Sequence, residues 1–370
     1  MGKCSLCHIS HPTISSFLSI CLNCIRKRPE EALEIAQKRR ASARLKFGLP
    51  PSPLRNPNGI KCNGCANSCS IGIGEIGFCG LVKNIEGRLI RLGGSPDRGI
   101  LEWYYDPLPT NCVASWFCPG CTGRGYPKYS YSQGPEIFHE NLAVFYGSCS
   151  YDCLYCQNWH FRKLTVGLKS FISAKDLAAK AEKKSVSCIC YFGGDPSTQM
   201  PHCLETSKIA LEKAKESNRI LRLCWETNGN ISEDFIPMMG EYALESGGNI
   251  KFDIKSWDEN LNIILCGTSN RSSLNNLKLL GKFYEKRLEV PLISVSTLLV
   301  PGYIDVEEVR NIAEFISSIN RSIPYTLLGF YGCFLMEDLP RTSRSLALKC
   351  KEVALKYLDN VSIGNIWLLS

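Results

Sequence analysis

Cys149-Ser-Tyr-Asp-Cys153-Leu-Tyr-Cys156 sets three cysteines at Cys-x3-Cys-x2-Cys, a spacing at which three thiolates can hold three irons of a cubic [4Fe–4S] cluster. The fourth iron is then left without a protein ligand and open to a substrate or cofactor. Ferredoxin-type spacing would supply a fourth cysteine with a proline behind it, whereas Gln157-Asn158-Trp159 follows here. An incompletely ligated cluster points to chemistry rather than electron storage. The plainer alternatives are buried apolar thiols or a structural zinc.

Further cysteines fall into groups. Cys4-x2-Cys7 and Cys21-x2-Cys24 make two knuckles, the pattern of a tetrathiolate site for zinc or a single iron. His8 and His11 beside them read as surface residues, since four thiolates already suffice. Cys62, Cys65, Cys69 and Cys79 lie in a glycine-rich stretch able to wrap a metal and offer amides to its ligands, and zinc or an auxiliary iron–sulfur cluster would suit it. Cys112, Cys118 and Cys121 form a third group, either an extra cluster with an open position or idle thiols. Cys188, Cys190, Cys203, Cys224, Cys266, Cys333 and Cys350 are scattered and read as small core residues, with Cys266, before Gly267-Thr268, as a further thiol to watch.

Three more motifs have the right chemistry for a charged ligand. Gly193-Gly194-Asp195-Pro196 combines small residues, which let backbone approach a ligand, with a carboxylate suited to an ammonium group. Glu226-Thr227-Asn228-Gly229 and Asp253-Ile-Lys255 add acids, an amide and an amine. Taken singly, each is also an ordinary strand-end turn or surface pair.

Together these motifs resemble the radical S-adenosylmethionine (SAM) enzymes, and the Cys-Gln-Asn-Trp ending is similar to their pyruvate formate-lyase-activating branch. The block around Cys62–Cys79, with Lys83-Asn84 after it, resembles the AmmeMemoRadiSam-type members. The resemblance implies that SAM chelates the open iron of the Cys149/Cys153/Cys156 cluster. It further implies that an electron from the reduced cluster cleaves the S–C5′ bond to a 5′-deoxyadenosyl radical. By the same resemblance Tyr155 packs on the adenine, Gly193, Gly194, Asp195 and Pro196 meet the methionyl amine, and Glu226, Thr227 and Asp253 line a monovalent-cation site. Asn228 and Lys255 then lie near the polar groups of SAM. The family has Gly-Gly-Glu-Pro and Asp-Thr-Asn-Gly where this chain has Asp195 and Glu226. Val300-Pro-Gly-Tyr-Ile-Asp305 matches a family turn in which Asp305 caps the next helix.

Such residues need a scaffold that brings strand ends together. From about residue 141 apolar runs alternate with amphipathic stretches, the signature of a parallel sheet covered by helices. The runs are 142–147, 187–192, 220–226, 249–254, 291–300 and 325–330. Six such units predict an α/β fold, a partial (β/α)6 barrel with its chemistry at the C-terminal strand ends. The expected organisation is a basic cysteine module over 1–48, with a helix from Pro29 to Lys46, and a proline-rich linker over 49–60. A cysteine-rich segment follows over 61–140, then the core over 141–335 and a closing helix and strand over 336–370.

The chain has 370 residues, 44% of them hydrophobic, and 21 cysteines. It is too long for a secreted disulfide scaffold and shows neither a signal-like start nor an 18-residue apolar run, so a cytoplasmic setting with metal-bound thiols and no membrane contact is expected. Residues 1–50 hold nine Lys and Arg against three Glu, much of the formal charge of +8. A basic module of this kind could grip RNA, hold an acidic protein or simply face solvent. The expected partners are a one-electron reductant such as ferredoxin or flavodoxin and a substrate that is a protein target or, alternatively, RNA. A non-catalytic electron carrier is the third reading.

Overall fold

The computed structural model describes residues 1–110 and 112–370. All six apolar runs form strands, and they stand side by side in chain order: Glu140–Tyr146, Val186–Gly193, Arg222–Thr227, Ile250–Asp253, Ile293–Leu299 and Tyr325–Gly329. Val361–Gly364 adds a seventh parallel strand on one flank, the closing strand expected at the C-terminus. The opposite flank carries Gly99–Pro107, antiparallel to Glu140–Tyr146, and then Phe171–Ile172. The two outermost strands do not pair with each other, so the sheet is an open partial barrel.

Residue choice accounts for this architecture. Every side chain of Ile293–Leu299 is buried, as a parallel strand covered on both faces requires. Helix Val306–Ile319 buries Val309, Ile312, Ala313 and Ile316, an i, i+3, i+4, i+7 stripe. Asp305 Oδ1 accepts from Glu308 N at 3.0 Å, the expected N-cap, worth about 1 kcal/mol. Gly99–Pro107 lies inside the stretch read as a cysteine-rich segment. Its Trp-Tyr-Tyr run is β-prone, but it sits far from the α/β alternation that revealed the other strands.

The first fifty residues are docked on the barrel through one face. Helix Pro29–Leu45 buries Ala32, Ala36, Arg40, Ala43 and Arg44. Arg40 Nη2 donates to Ile264 O at 2.7 Å, and Arg44 Nη2 to Phe78 O at 2.6 Å. Arg26 pairs with Asp305, Glu307 and Glu308, and Tyr303 OH links Ser15 N to Ile20 O. A Cβ at Gly302 would fall 2.3 Å from Thr13 O, so the Val300–Asp305 turn is where the module rests. Of the basic residues here, Arg40 and Arg44 are buried in the fold and Arg26 is paired with acids of the barrel, while Lys3, Lys27, Arg28, Lys38 and Lys46 stay exposed.

Candidate active site

The loop 147–156 leaves the end of strand Glu140–Tyr146 under tight control. Ser148 takes φ 95°, a region rare for a non-glycine residue. It is held there because its carbonyl accepts from Asp195 N at 2.8 Å and its hydroxyl donates to Cys79 O at 2.8 Å. Behind the loop, Asp152 N and Leu154 N donate to the carbonyls of Cys266 and Leu265 at 2.8 and 2.9 Å. Tyr151 N and Asn228 Nδ2 donate to Cys149 Sγ at 3.3 and 3.5 Å. N–H···S bonds of this kind stabilise a thiolate.

Asp152, between the first two cysteines, receives three arginines: Arg162 at 2.5 Å, Arg44 at 3.0 Å and Arg40 at 3.5 Å. All four side chains are 4% exposed or less. One carboxylate cannot neutralise three guanidiniums, so net positive charge is buried against the loop. Burial raises the Cys156 thiol to about 11, while Arg162 pulls it the other way. An anionic thiolate cluster at Cys149, Cys153 and Cys156 would take up this charge, so the residues fit the group the loop implies.

The Gly-Gly-Asp-Pro turn ends the neighbouring strand. A Cβ at Gly194 would lie 2.0 Å from Ser148 O, and one at Gly193, which has φ 110°, would lie 2.6 Å from Tyr146 N. Both glycines are thus required for the turn to lie against the cysteine loop. Asp195 is fully buried, and its carboxylate accepts from Ser197 N at 2.8 Å, Asn228 N at 2.7 Å and Thr227 Oγ1 at 3.0 Å. Burial pushes this acid up and those donors oppose it. The carboxylate expected to meet an ammonium also braces two strand-end loops together while bordering the same cavity as the cysteine loop. Pro196 opens the 3-10 turn Pro196–Gln199 and is buried behind the wall.

The loop and the strand ends face one cavity of about 560 Å³. Cys149, Cys153, Tyr155, Cys156, Gly193, Gly194, Asp195, Glu226, Thr227, Asn228, Asp253 and Lys255 all border it. Glu226 Oε1 is 2.9 Å from Lys251 Nζ, and Lys255 is paired with Asp253. Asp253 Oδ1 is buried without a partner and so offers an acceptor to a ligand. Glu226, Thr227 and Asp253 each have a protein partner, Thr227 being bound to Asp195. Tyr155 is buried, with its hydroxyl 3.7 Å from Cys266 Sγ and its ring edge-on to Phe330. Cys266 thus lies behind the loop and packs in the core.

Other wall residues were not anticipated. Lys251 is 4% exposed in the middle of an apolar strand, an anomaly visible in the sequence. Trp116, with Nε1 donating to Thr326 Oγ1 at 3.1 Å, and the 365–367 segment carry no comparable signal.

The cysteine groups differ in spacing. Sγ atoms of Cys4, Cys7, Cys21 and Cys24 all lie within 4.8 Å of one another, the only such group found among the described residues. Cys7 and Cys21 are 3.7 Å apart, matching the edge of about 3.8 Å that four Zn–S bonds of about 2.3 Å impose. Burial at Cys4 is outweighed by backbone donors at Cys7, Cys21 and Leu6, which bring its thiol down, while burial and the neighbouring thiols push Cys24 up and burial raises Cys21. His8 and His11 are exposed, as expected. Cys62, Cys65, Cys69 and Cys79 surround a small void of about 10 Å³, more widely spaced than the first group.

The model of the Radical SAM superfamily matches residues 143–316. The chain is 30% identical over 228 residues, 60% of its length and 80% of the relative's, to a Methanocaldococcus jannaschii protein whose name provisionally assigns it to the glycyl-radical enzyme activating enzymes. An uncharacterised protein of the same organism is 24% identical over 322 residues, 84% of this chain and 82% of that one. This chain belongs to the radical SAM superfamily of enzymes. Among solved structures, it is similar to a domain of pyruvate-formate lyase-activating enzyme from Bacteroides vulgatus, at 17% identity and TM-score 0.38 over 48% of this chain and 98% of that one. It is also similar to SuiB of Streptococcus suis bound to the precursor peptide SuiA, at 14% identity and TM-score 0.43 over 58% of this chain and 46% of that one. No helix among the described residues is long and apolar enough to cross a membrane.

Proposed function

We propose that this chain reductively cleaves SAM and takes a hydrogen atom from a protein target, in the manner of a glycyl-radical activating enzyme. The observation that carries the reading is the set of three thiols at Cys149, Cys153 and Cys156 on the wall of a 560 Å³ cavity that Asp253, with an unpartnered Oδ1, also lines. Bound there, the cluster and SAM supply a one-electron reduction of a sulfonium, giving methionine and a carbon radical that removes one hydrogen atom, with a ferredoxin- or flavodoxin-class donor providing the electron. The chain's own residues prepare this chemistry. Arg40, Arg44 and Arg162 offset cluster charge through Asp152, Gly194 lets the SAM turn touch the loop, and Asp195 locks both to Asn228.

The same reasoning assigns zinc to the Cys4–Cys24 tetrathiolate, from its 3.7 Å sulfur spacing. Cys62, Cys65, Cys69 and Cys79, which line one small void, would hold zinc or an auxiliary iron–sulfur cluster. For a monovalent cation beside SAM, Asp253 Oδ1 is the acceptor left open.

The protein-target reading is tested by deuterium transfer. Reduced, reconstituted enzyme is given SAM and separate protein, RNA and small-molecule fractions from deuterated host cells. Label entering 5′-deoxyadenosine from the protein fraction is the expected result, and label from RNA alone would overturn the choice of target.

A further inference from the structure

A second cavity, of about 330 Å³, lies beside the first and shares Cys112, Phe192, Glu226 and Lys251 with it. Its wall contains five cysteines: Cys112, Cys118, Cys188, Cys190 and Cys224. They come from separate parts of the chain, and the sheet explains why they meet. Cys188 and Cys190 are two apart on strand Val186–Gly193 and so point to one face. Cys224 is the registered partner of Cys190 on the next parallel strand, which puts its thiol on that same face. Cys112 and Cys118 belong to the loop that caps the cavity.

A cation is buried among these thiols. Lys251 Nζ donates to Cys112 Sγ at 3.2 Å and to Cys190 Sγ at 3.3 Å, and its side chain is 4% exposed. An amine in an apolar strand is costly unless it faces negative charge. Glu226 alone would meet that need only partly, being 33% exposed. Thiols of ordinary core cysteines pack against apolar atoms, whereas these border a cavity and an ammonium.

We propose that Cys112, Cys118, Cys188, Cys190 and Cys224 furnish the thiolate ligands of a further iron–sulfur cluster inside the barrel, with Lys251 as its buried counter-charge. Two considerations favour a cluster over a single ion. The cavity, of about 330 Å³, has room for several irons. No three of these sulfurs fall within the 4.8 Å spacing that the Cys4–Cys24 group shows. Because the two cavities share a wall, the cluster would stand beside the space into which Cys149, Cys153 and Cys156 face. The placement does not depend on the SAM reading, since none of these five cysteines belongs to the Cys149 loop.

The test uses full-length protein reconstituted anaerobically with iron and sulfide. Iron, acid-labile sulfide and Mössbauer spectra are compared for wild type, Cys190→Ala/Cys224→Ala and Cys112→Ala/Cys118→Ala. Both double variants are expected to lose the same subspectrum with its iron and sulfide. The SAM-responsive cluster, which Cys153→Ala removes, and the metal that Cys62→Ala/Cys65→Ala removes should both persist. Unchanged iron and sulfide in the folded double variants, or zinc in place of iron, would overturn the proposal. Should the double variants fail to fold, Lys251→Met is the second probe. It should shift the EPR g-values of the further cluster alone, and spectra identical to wild type would contradict the site.

Discussion

Arg44 Nη1 lies 3.0 Å from Asp152 Oδ1 with both side chains nearly inaccessible, joining the N-terminal helix to the middle of the Cys149–Cys156 loop. The relationship makes the basic module part of the scaffold of the cysteine loop. Asp152→Asn keeps the shape but leaves three guanidiniums without their carboxylate, and breaking a buried pair in this way costs about 3–5 kcal/mol. A lower melting temperature and reduced iron per chain are expected. The exposed Glu307→Gln should stay within about 0.5 kcal/mol of wild type.

Gly194 gives a sharper structural prediction. Its Cβ would press on Ser148 O, next to Cys149, so even Gly194→Ala must move the cysteine loop and the Gly193–Pro196 turn apart. Misplacement of about 1 Å costs about 100-fold in rate. 5′-Deoxyadenosine formation should fall by about that factor, and SAM affinity, measured by equilibrium dialysis, should fall with it.

His202 is buried between Tyr146 OH at 2.8 Å from Nδ1 and Ile172 O at 3.1 Å from Nε2. Burial pushes its pKa down to about 4, with the Ile172 carbonyl opposing. The unfolded chain takes up a proton near the ordinary value of 6.5 and the folded chain does not, so stability is full above that value and declines as pH falls from 6.5 toward 4. The accumulated loss is about 3 kcal/mol. His202→Gln should flatten the wild-type slope of melting temperature against pH in this window.

Zinc at the N-terminal knuckles predicts independence from iron. Cys21→Ala should lose one equivalent of zinc by elemental analysis and loosen the docked segment to protease. Cys153→Ala should keep that zinc.

The sequence was most readable where chemistry demands spacing. Cys149, Cys153 and Cys156, the Gly193–Pro196 turn and the strand-end acids are local motifs, and the apolar alternation placed the strands that carry them within one or two residues. What stayed hidden depends on contacts between distant segments. The bracing role of Asp195 was not legible, because nothing local shows Thr227 and Asn228 converging on it from the next strand end. Arg40 and Arg44 looked like surface charge on an amphipathic helix because their partner Asp152 lies more than a hundred residues away. Cys188, Cys190 and Cys224 looked like core residues because parallel register, invisible in sequence, gathers them with Cys112 and Lys251.

The central claim is that the Cys149, Cys153 and Cys156 loop drives reductive cleavage of SAM. Dithionite-reduced, reconstituted wild type and Cys153→Ala are incubated with SAM, and 5′-deoxyadenosine is quantified by mass spectrometry. The account predicts 5′-deoxyadenosine and methionine in equal amounts from wild type and none above background from Cys153→Ala. Equal yields from the two proteins would contradict it.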